Sequence, residues 1–161
     1  MRILGIDPGT GILGFGVIDV TPKGMRLVDA GVIRTPPHTA HDERLEEIFD
    51  GLQEIIAATK PDQFSIEKLF FSKNITTAMT VAEARGVAIL TARKARLPIA
   101  EYNPMQIKQS LTGYGKADKK QVQEMVRIQL GLQEVPQPDD CADALAAAIT
   151  HAFMSRQNAA L

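Results

Sequence analysis

With 161 residues, 45% of them hydrophobic and 23% charged, the chain has the size and composition of a single globular domain with a true core, expected over residues 1–161 with the last few flexible. Its single cysteine, Cys141, excludes internal disulfides and thiolate zinc clusters. No apolar run approaches the ~18 residues of a spanning helix, and a first strand starting at Arg2 leaves no room for a secretory leader. A soluble, cytoplasmic protein with no membrane role is expected. Net charge is -1, yet between Glu67 and Arg127 there are 11 Lys and Arg against 5 Asp and Glu. The middle of the chain is therefore basic and its flanks are acidic.

Along the chain, Arg2 to Asp7, Leu13 to Asp19 and Met25 to Thr35 are β-rich runs. The turn chemistry of Pro8-Gly9-Thr10-Gly11 and Thr21-Pro22-Lys23-Gly24 separates them, so a three-stranded meander is predicted. Leu45, Ile48, Phe49, Leu52, Ile55 and Ile56 recur at helical spacing, giving an amphipathic helix from about Asp42 to Thr59 that Pro61 ends. Gln63 to Glu67 is a short strand, and the helix before it is a crossover that makes it parallel to the first strand. Ile75 to Arg96 is helical but apolar almost all round, so it needs a second partner, for which another copy of the chain is a candidate. Pro98 to Tyr102 is a strand, Asn103-Pro104 opens a short helix, and Gly113-Tyr114-Gly115 breaks it. Helices follow from about Ala117 to Leu130 and after Pro138. This order predicts one α/β domain with a mixed sheet.

Four acids are placed to converge. Alternation puts Asp7 on the face of Gly5 and Glu67 on the face of Ser65, both at strand C-termini with small neighbours. If those strands are parallel, both carboxylates reach one sheet edge, the usual location of sites in α/β folds. Asp140 and Asp143 lie one turn apart at the start of the last helix, about 60° apart on its circumference. The alanines at 142, 144 and 146–148 would let that helix approach the sheet, with Leu145, Ile149 and Phe153 as its apolar stripe. Gathered carboxylates repel unless something cationic lies between them, which points to a divalent metal site and metal-assisted phosphoryl chemistry. Oxygen ligands suit Mg²⁺ or Mn²⁺. Taken singly, each acid has a simpler use: an Asx-type turn at Asp7, an N-cap at Asp139 or Asp140, a solvated strand end at Glu67. A basic surface around an acidic pocket suits a metal-dependent nuclease, although lysines on solvated helix faces give the same charge count.

The runs Gly5-Ile6-Asp7-Pro8-Gly9, Ile66-Glu67 with Phe70, Ala84-Arg85-Gly86-Val87-Ala88, Met105-Gln106-Ile107-Lys108-Gln109, Lys119 with Gln121-Val122-Gln123, and Ala142-Asp143-Ala144-Leu145 with Ile149-Thr150-His151 resemble the bacterial RuvC family. Its members are Holliday junction resolvases with a ribonuclease H-like fold. The resemblance runs in order along essentially the whole chain. It implies an α/β, ribonuclease H-like mixed five-stranded sheet flanked by helices, and a structure-selective endonuclease that makes paired cuts in four-way junctions during recombination and repair. By the same resemblance Asp7, Glu67, Asp140 and Asp143 are catalytic metal ligands, with two Mg²⁺ per site and Mn²⁺ able to substitute. Asp139 falls to an N-cap or supporting position. Phe70 matches an aromatic laid against junction bases, while Phe71 is expected in the core. Lys108 and Lys119 match basic residues near the scissile phosphate. Lys116 and Arg85 are further DNA-binding candidates, Arg85 alternatively forming an interface ion pair, and Gly113 to Lys116 is expected to be a mobile DNA-facing loop. Implied partners are the four-way junction, a second copy of the chain in a homodimer, and the RuvA–RuvB branch-migration complex.

Two readings of other classes compete. Asp7-Pro8-Gly9-Thr10-Gly11 also resembles the first phosphate loop of actin-like ATPases, although 161 residues leave no room for the second lobe that encloses their nucleotide. An inactive DNA-binding dimer would not need the full set of acids.

Overall fold

The computed structural model describes residues 1–69 and 74–159, with side chains as far as residue 156. Ten elements follow in chain order: β1 (Arg2–Asp7), β2 (Ile12–Thr21), β3 (Gly24–Arg34), α1 (His41–Thr59), β4 (Gln63–Glu67), α2 (Ile75–Lys94), β5 (Ile99–Tyr102), α3 (Pro104–Thr112), α4 (Lys119–Gln129) and α5 (Asp139–Ala159). The strands form one sheet in the order β3-β2-β1-β4-β5. The meander β1–β2–β3 is antiparallel, whereas β4 is parallel to β1 and β5 parallel to β4, because each crossover runs through a helix.

Local chemistry sets the boundaries. Lys60 takes a left-handed conformation, and its N–H reaches the Ile56 carbonyl to close α1 just before Pro61. Asn103 with Gln106, and Asp118 with Gln121, form reciprocal capping boxes at the starts of α3 and α4. The second box moves the start of the predicted Ala117–Leu130 helix to Lys119.

Alternation along the strands sorts side chains onto two faces. Leu4, Ile6, Val17, Phe64 and Ile66 pack with Ile48 and Leu52 of α1 and with Ala84, Ala88 and Ala92 of α2. On the opposite face, Ile3 and Ile18 pack with Leu145 and Ile149 of α5, beside Ile107, Leu111, Val122 and Val126 of α3 and α4. Leu145 and Ile149 are fully buried, each contributing about 1.5–3 kcal/mol. Phe153, expected in the same stripe, is only partly buried.

Ala78, Ala84, Ala88 and Ala92 of α2 go inward, while Ile75, Met79 and Leu90 stay 73%, 58% and 55% exposed. With Ala82 and Gly86, also exposed, they form a seam along the outer side of α2, and a Cβ at Gly86 would meet only open space.

Candidate active site

Asp7 ends β1 and Glu67 ends β4; their preceding residues Ile6 and Ile66 are register partners in the parallel pair. Both acids therefore leave the sheet at the same edge, on the face that α5 covers. α5 can lie there because the floor beneath it lacks side chains. A Cβ on Gly5 would collide with the Ala144 carbonyl, one on Gly14 with the Asp140 carbonyl, and one on Gly16 with Leu145. Ser65 adds a hydrogen bond from its Oγ to the Ala147 carbonyl, 2.7 Å. Gly14 is the register partner of Asp7, so the contact between Gly14 and Asp140 brings the first turn of α5 to Asp7. Substituting Gly14 with Ala is expected to lift that turn. Over-packing of this kind costs roughly 1–3 kcal/mol, and displacement of the site lowers cleavage by up to about 10²-fold. Thermal melts paired with single-turnover cleavage check both effects.

The carboxylates are electrostatically coupled. Burial pushes the Asp7 carboxyl up to about 8, with Asp143, Glu67 and Asp140 adding to the rise and Lys119 opposing it. Glu67 is raised by burial and by Asp143, against Lys108 and Lys119. Asp143 is raised by burial too, against Lys119, with Asp140 and Asp139 adding repulsion. The four acids named from the sequence thus share one locality, and Asp7 senses the other three.

Two small clefts meet there. One, of about 290 Å³, is lined by Glu67, Lys108, Lys119 and Asp143 over Pro104, Ile107, Val122 and Ala146. The other, of about 240 Å³, is lined by Asp7, Pro8, Glu67, Lys68, Leu69, Val81 and Pro104. A larger cleft, about 720 Å³ between α3 and the end of α5, is lined by none of the four acids; charge and geometry, rather than size, mark the site.

Lys119 Nζ lies 3.2 Å from an oxygen of Asp139 and 3.2 Å from one of Asp143. Asp139 is the first residue of α5 rather than its N-cap; it shares Lys119 with Asp143. Among the described residues, no three acids, histidines or cysteines are gathered into a ready-made metal site. The donor set nevertheless fits a hard divalent ion. Its four carboxylates are all-oxygen donors that outnumber Lys108 and Lys119, the two lysines in the first cleft, and Mg²⁺ commonly takes one or two carboxylates while keeping waters and substrate phosphate as its other ligands.

The remaining sequence candidates fall in different places. Lys108 is partly buried in the acid-lined cleft. Lys116 is exposed, and the connection before it is held at its start: Thr112 Oγ1 donates to the Lys108 carbonyl and accepts from the Tyr114 N–H, while Gln109 donates to the Gly113 carbonyl. These bonds tie Gly113 and Tyr114 to α3, and Tyr114 stands 58% exposed. Phe70 and Phe71 lie outside the described residues. Arg85 is directed inward; its Nε donates to the Glu67 carbonyl at 3.1 Å and its terminal nitrogen pairs with Glu101.

Glu101 went unnoticed in the sequence, as did a relay behind the site. Tyr102, register partner of Glu67, meets His151 Nδ1 at 2.7 Å, and His151 Nε2 meets Gln63. Burial lowers the His151 pKa, so the neutral ring accepts from Tyr102 and donates to Gln63. Only the Ile149-Thr150-His151 run hinted at it.

Comparisons with known proteins bear on the family and the fold. A family model described as crossover junction endodeoxyribonuclease RuvC matches residues 3–151. The crossover junction endodeoxyribonuclease RuvC of Brevibacillus brevis is 55% identical over 152 residues, covering 94% of this chain and 92% of that protein. The structure of Thermus thermophilus RuvC superposes with a TM-score of 0.92 at 40% identity, covering 98% of this chain and 97% of the other. The same protein in complex with Holliday junction substrate gives 0.93 at 40% identity, covering 98% and 96%.

Proposed function

The chain belongs to the RuvC family of crossover junction endodeoxyribonucleases, and on that premise we propose how its residues carry out junction resolution. It is a divalent-metal-dependent endonuclease of the ribonuclease H-like fold that acts on Holliday junctions in recombination and repair. The observation that supports the residue assignment best is the coupling of Asp7 to Glu67, Asp140 and Asp143 at one sheet edge.

In this reading the four carboxylates hold the metal, which is Mg²⁺, two ions per site, with Mn²⁺ able to replace it. Bound there, such ions activate a water and stabilise the leaving oxygen of the phosphodiester. Asp7 and Glu67, fixed at strand ends, set the position of the ions against the sheet, while Asp140 and Asp143 approach from the first turn of α5. Lys108 and Lys119 hold the scissile phosphate against the acids and keep its charge from being repelled. Lys116 binds backbone phosphate further out, and Phe70 offers a surface for an unpaired base, where stacking contributes roughly 1–3 kcal/mol.

Paired cuts need two sites. We assign the outer seam of α2, with Ile75, Met79 and Leu90 exposed, to a second copy of the chain. A two-fold dimer of this kind matches the approximate dyad of a four-way junction. Delivery to the junction by the RuvA–RuvB branch-migration complex, and action in the cytoplasm, belong to the same proposal. No helix among the described residues is long and apolar enough to cross a membrane.

The test is a divalent-ion titration of cleavage on a synthetic four-way junction and on linear duplex, with sedimentation of the same sample. Paired nicks confined to the junction, dependent on Mg²⁺ and made by a dimer, are expected. Equal cutting of linear duplex would remove the structure selectivity, and a monomer that cuts both strands would remove the dimer.

A further inference from the structure

Arg85 and Glu101 lie on the α2 side of the sheet, opposite the metal-facing acids, yet they meet the catalytic strand. The side chain of Arg85 is 17% exposed and that of Glu101 40%. Glu101 sits on β5 as the register partner of Ile66, one residue before Glu67. From α2 the guanidinium spans both strand ends, donating to the Glu67 main-chain carbonyl at 3.1 Å and pairing with the Glu101 carboxylate. β4 ends at Glu67. Beyond it, the Lys68 N–H donates to the Tyr102 carbonyl at 2.8 Å. Arg85 is therefore a side-chain tie on the main chain at the point where the acid leaves the sheet. The charged groups that shift the Glu67 carboxyl are Asp143, Lys108 and Lys119; Arg85 acts on the backbone that carries this carboxyl.

We infer that Arg85 and Glu101 form a positioning pair, in which Arg85 pins the main chain of Glu67 and Glu101 holds the guanidinium in place for it. The inference rests on Glu67 holding metal, as proposed above. Aligning a metal-holding carboxylate requires that its backbone not drift, and supports of this kind typically matter 10–100-fold in affinity or activity. A planar fork bonded to two acceptors at once fixes direction as well as distance, which the point charge of lysine does not.

The test compares wild type, Arg85→Met, Arg85→Lys, Glu101→Gln and the Arg85→Met/Glu101→Gln double variant. Four readings are taken: Mn²⁺ binding without DNA by electron paramagnetic resonance, single-turnover junction cleavage against Mg²⁺ concentration, junction affinity in Ca²⁺ against salt, and melting temperature. Arg85→Met is expected to weaken Mn²⁺ binding and raise the Mg²⁺ half-saturation about tenfold, with junction affinity and its salt dependence unchanged. Arg85→Lys recovers part of the loss. Glu101→Gln moves both metal readings in the same direction by less, and the double variant is no worse than Arg85→Met alone, because the two residues act as one unit.

Two results overturn the inference. If junction affinity falls and its salt slope drops by about one while Mn²⁺ binding holds, Arg85 is a DNA contact. If only the melting temperature falls, the pair is structural. Should Arg85→Met not fold, the partly exposed Glu101→Gln carries the same comparison. Mn²⁺ binding needs no cleavage, so a wild type that left junctions intact would count against the proposed function while the positioning pair was still tested.

Discussion

Asp7→Asn is expected to yield a protein that binds junctions, does not cut them and melts at a higher temperature than wild type. If Asp7 holds metal as proposed, its loss lowers single-turnover cleavage by at least roughly 10²–10³-fold, while the phosphate contacts proposed for Lys108, Lys119 and Lys116 are kept. The stability gain follows from the sign of the shift. In the fold, Asp7 is pushed up to about 8 from an ordinary 3.8, first by burial and then by Asp143, Glu67 and Asp140. Between those values the folded chain retains a proton that the unfolded chain has released. Stability from this group is thus complete below about pH 4 and is lost as pH rises towards 8. Asparagine has no charge to bury, so the melting-temperature gap between variant and wild type, without metal, opens across that window and is greatest above pH 8. Each kcal/mol of repulsion removed raises the melting point by roughly 2–4 °C in a chain of this size. Divalent ions reverse the order by stabilising wild type through binding. Because the ion must displace the Asp7 proton, its apparent affinity rises by up to about tenfold per pH unit below 8. Mg²⁺-dependent nicking by the variant at the wild-type rate would refute the assignment, and a gap independent of pH would refute the electrostatic account.

The acid edge was legible because it depends on periodicities that a sequence displays. Strand alternation put Asp7 with Gly5 and Glu67 with Ser65, the α1 crossover implied that β4 lies parallel to β1, and helical spacing placed Asp140 and Asp143 on neighbouring positions of one turn. Each of these is a local rule, and the family resemblance supplied the roles. What was not legible depends on which elements meet. Gly14 and Gly16 are visible as letters, but only the register of β2 on β1 shows that they form the floor under α5. Glu101 stands between two β5 residues that face the other way, and its partner Arg85 lies 16 residues back on another element. His151, Tyr102 and Gln63 come from α5, β5 and β4. The even spread of apolar residues on α2 hid a division in which Ala78, Ala84, Ala88 and Ala92 face inward and Ile75, Met79 and Leu90 outward, because both sides of the helix are apolar and polarity does not distinguish them. For Asp139 the sequence left a cap and a supporting position open, and only the fold shows its carboxylate paired with Lys119.

That pairing makes Lys119→Met the more discriminating substitution, since it is expected to move two properties in opposite directions. Burial works against the charge on Lys119, but Asp143 and Asp139 outweigh it and raise its pKa, so the ammonium stays on. In the free protein this charge relieves Asp7, Glu67 and Asp143 and competes with any divalent ion for the same oxygens. With Lys119 gone, Mn²⁺ binding without DNA should tighten roughly two- to fivefold, because a half-exposed ion pair is worth about 0.5–1 kcal/mol. With substrate present the balance reverses. A phosphate brought to four carboxylates needs a cation beside it, and removing one that stabilises developing charge costs roughly 10²–10³-fold in single-turnover rate. Lys119→Arg should keep most of the charge pairing and fall between the two. Metal titrations by electron paramagnetic resonance alongside quench-flow cleavage at saturating Mg²⁺ separate the effects. If Mn²⁺ binding weakens in step with the rate, Lys119 is a prop that holds Asp143 and Asp139 in place. If binding tightens while the rate collapses, the lysine substitutes for the metal in the resting site and turns to the phosphate when DNA arrives.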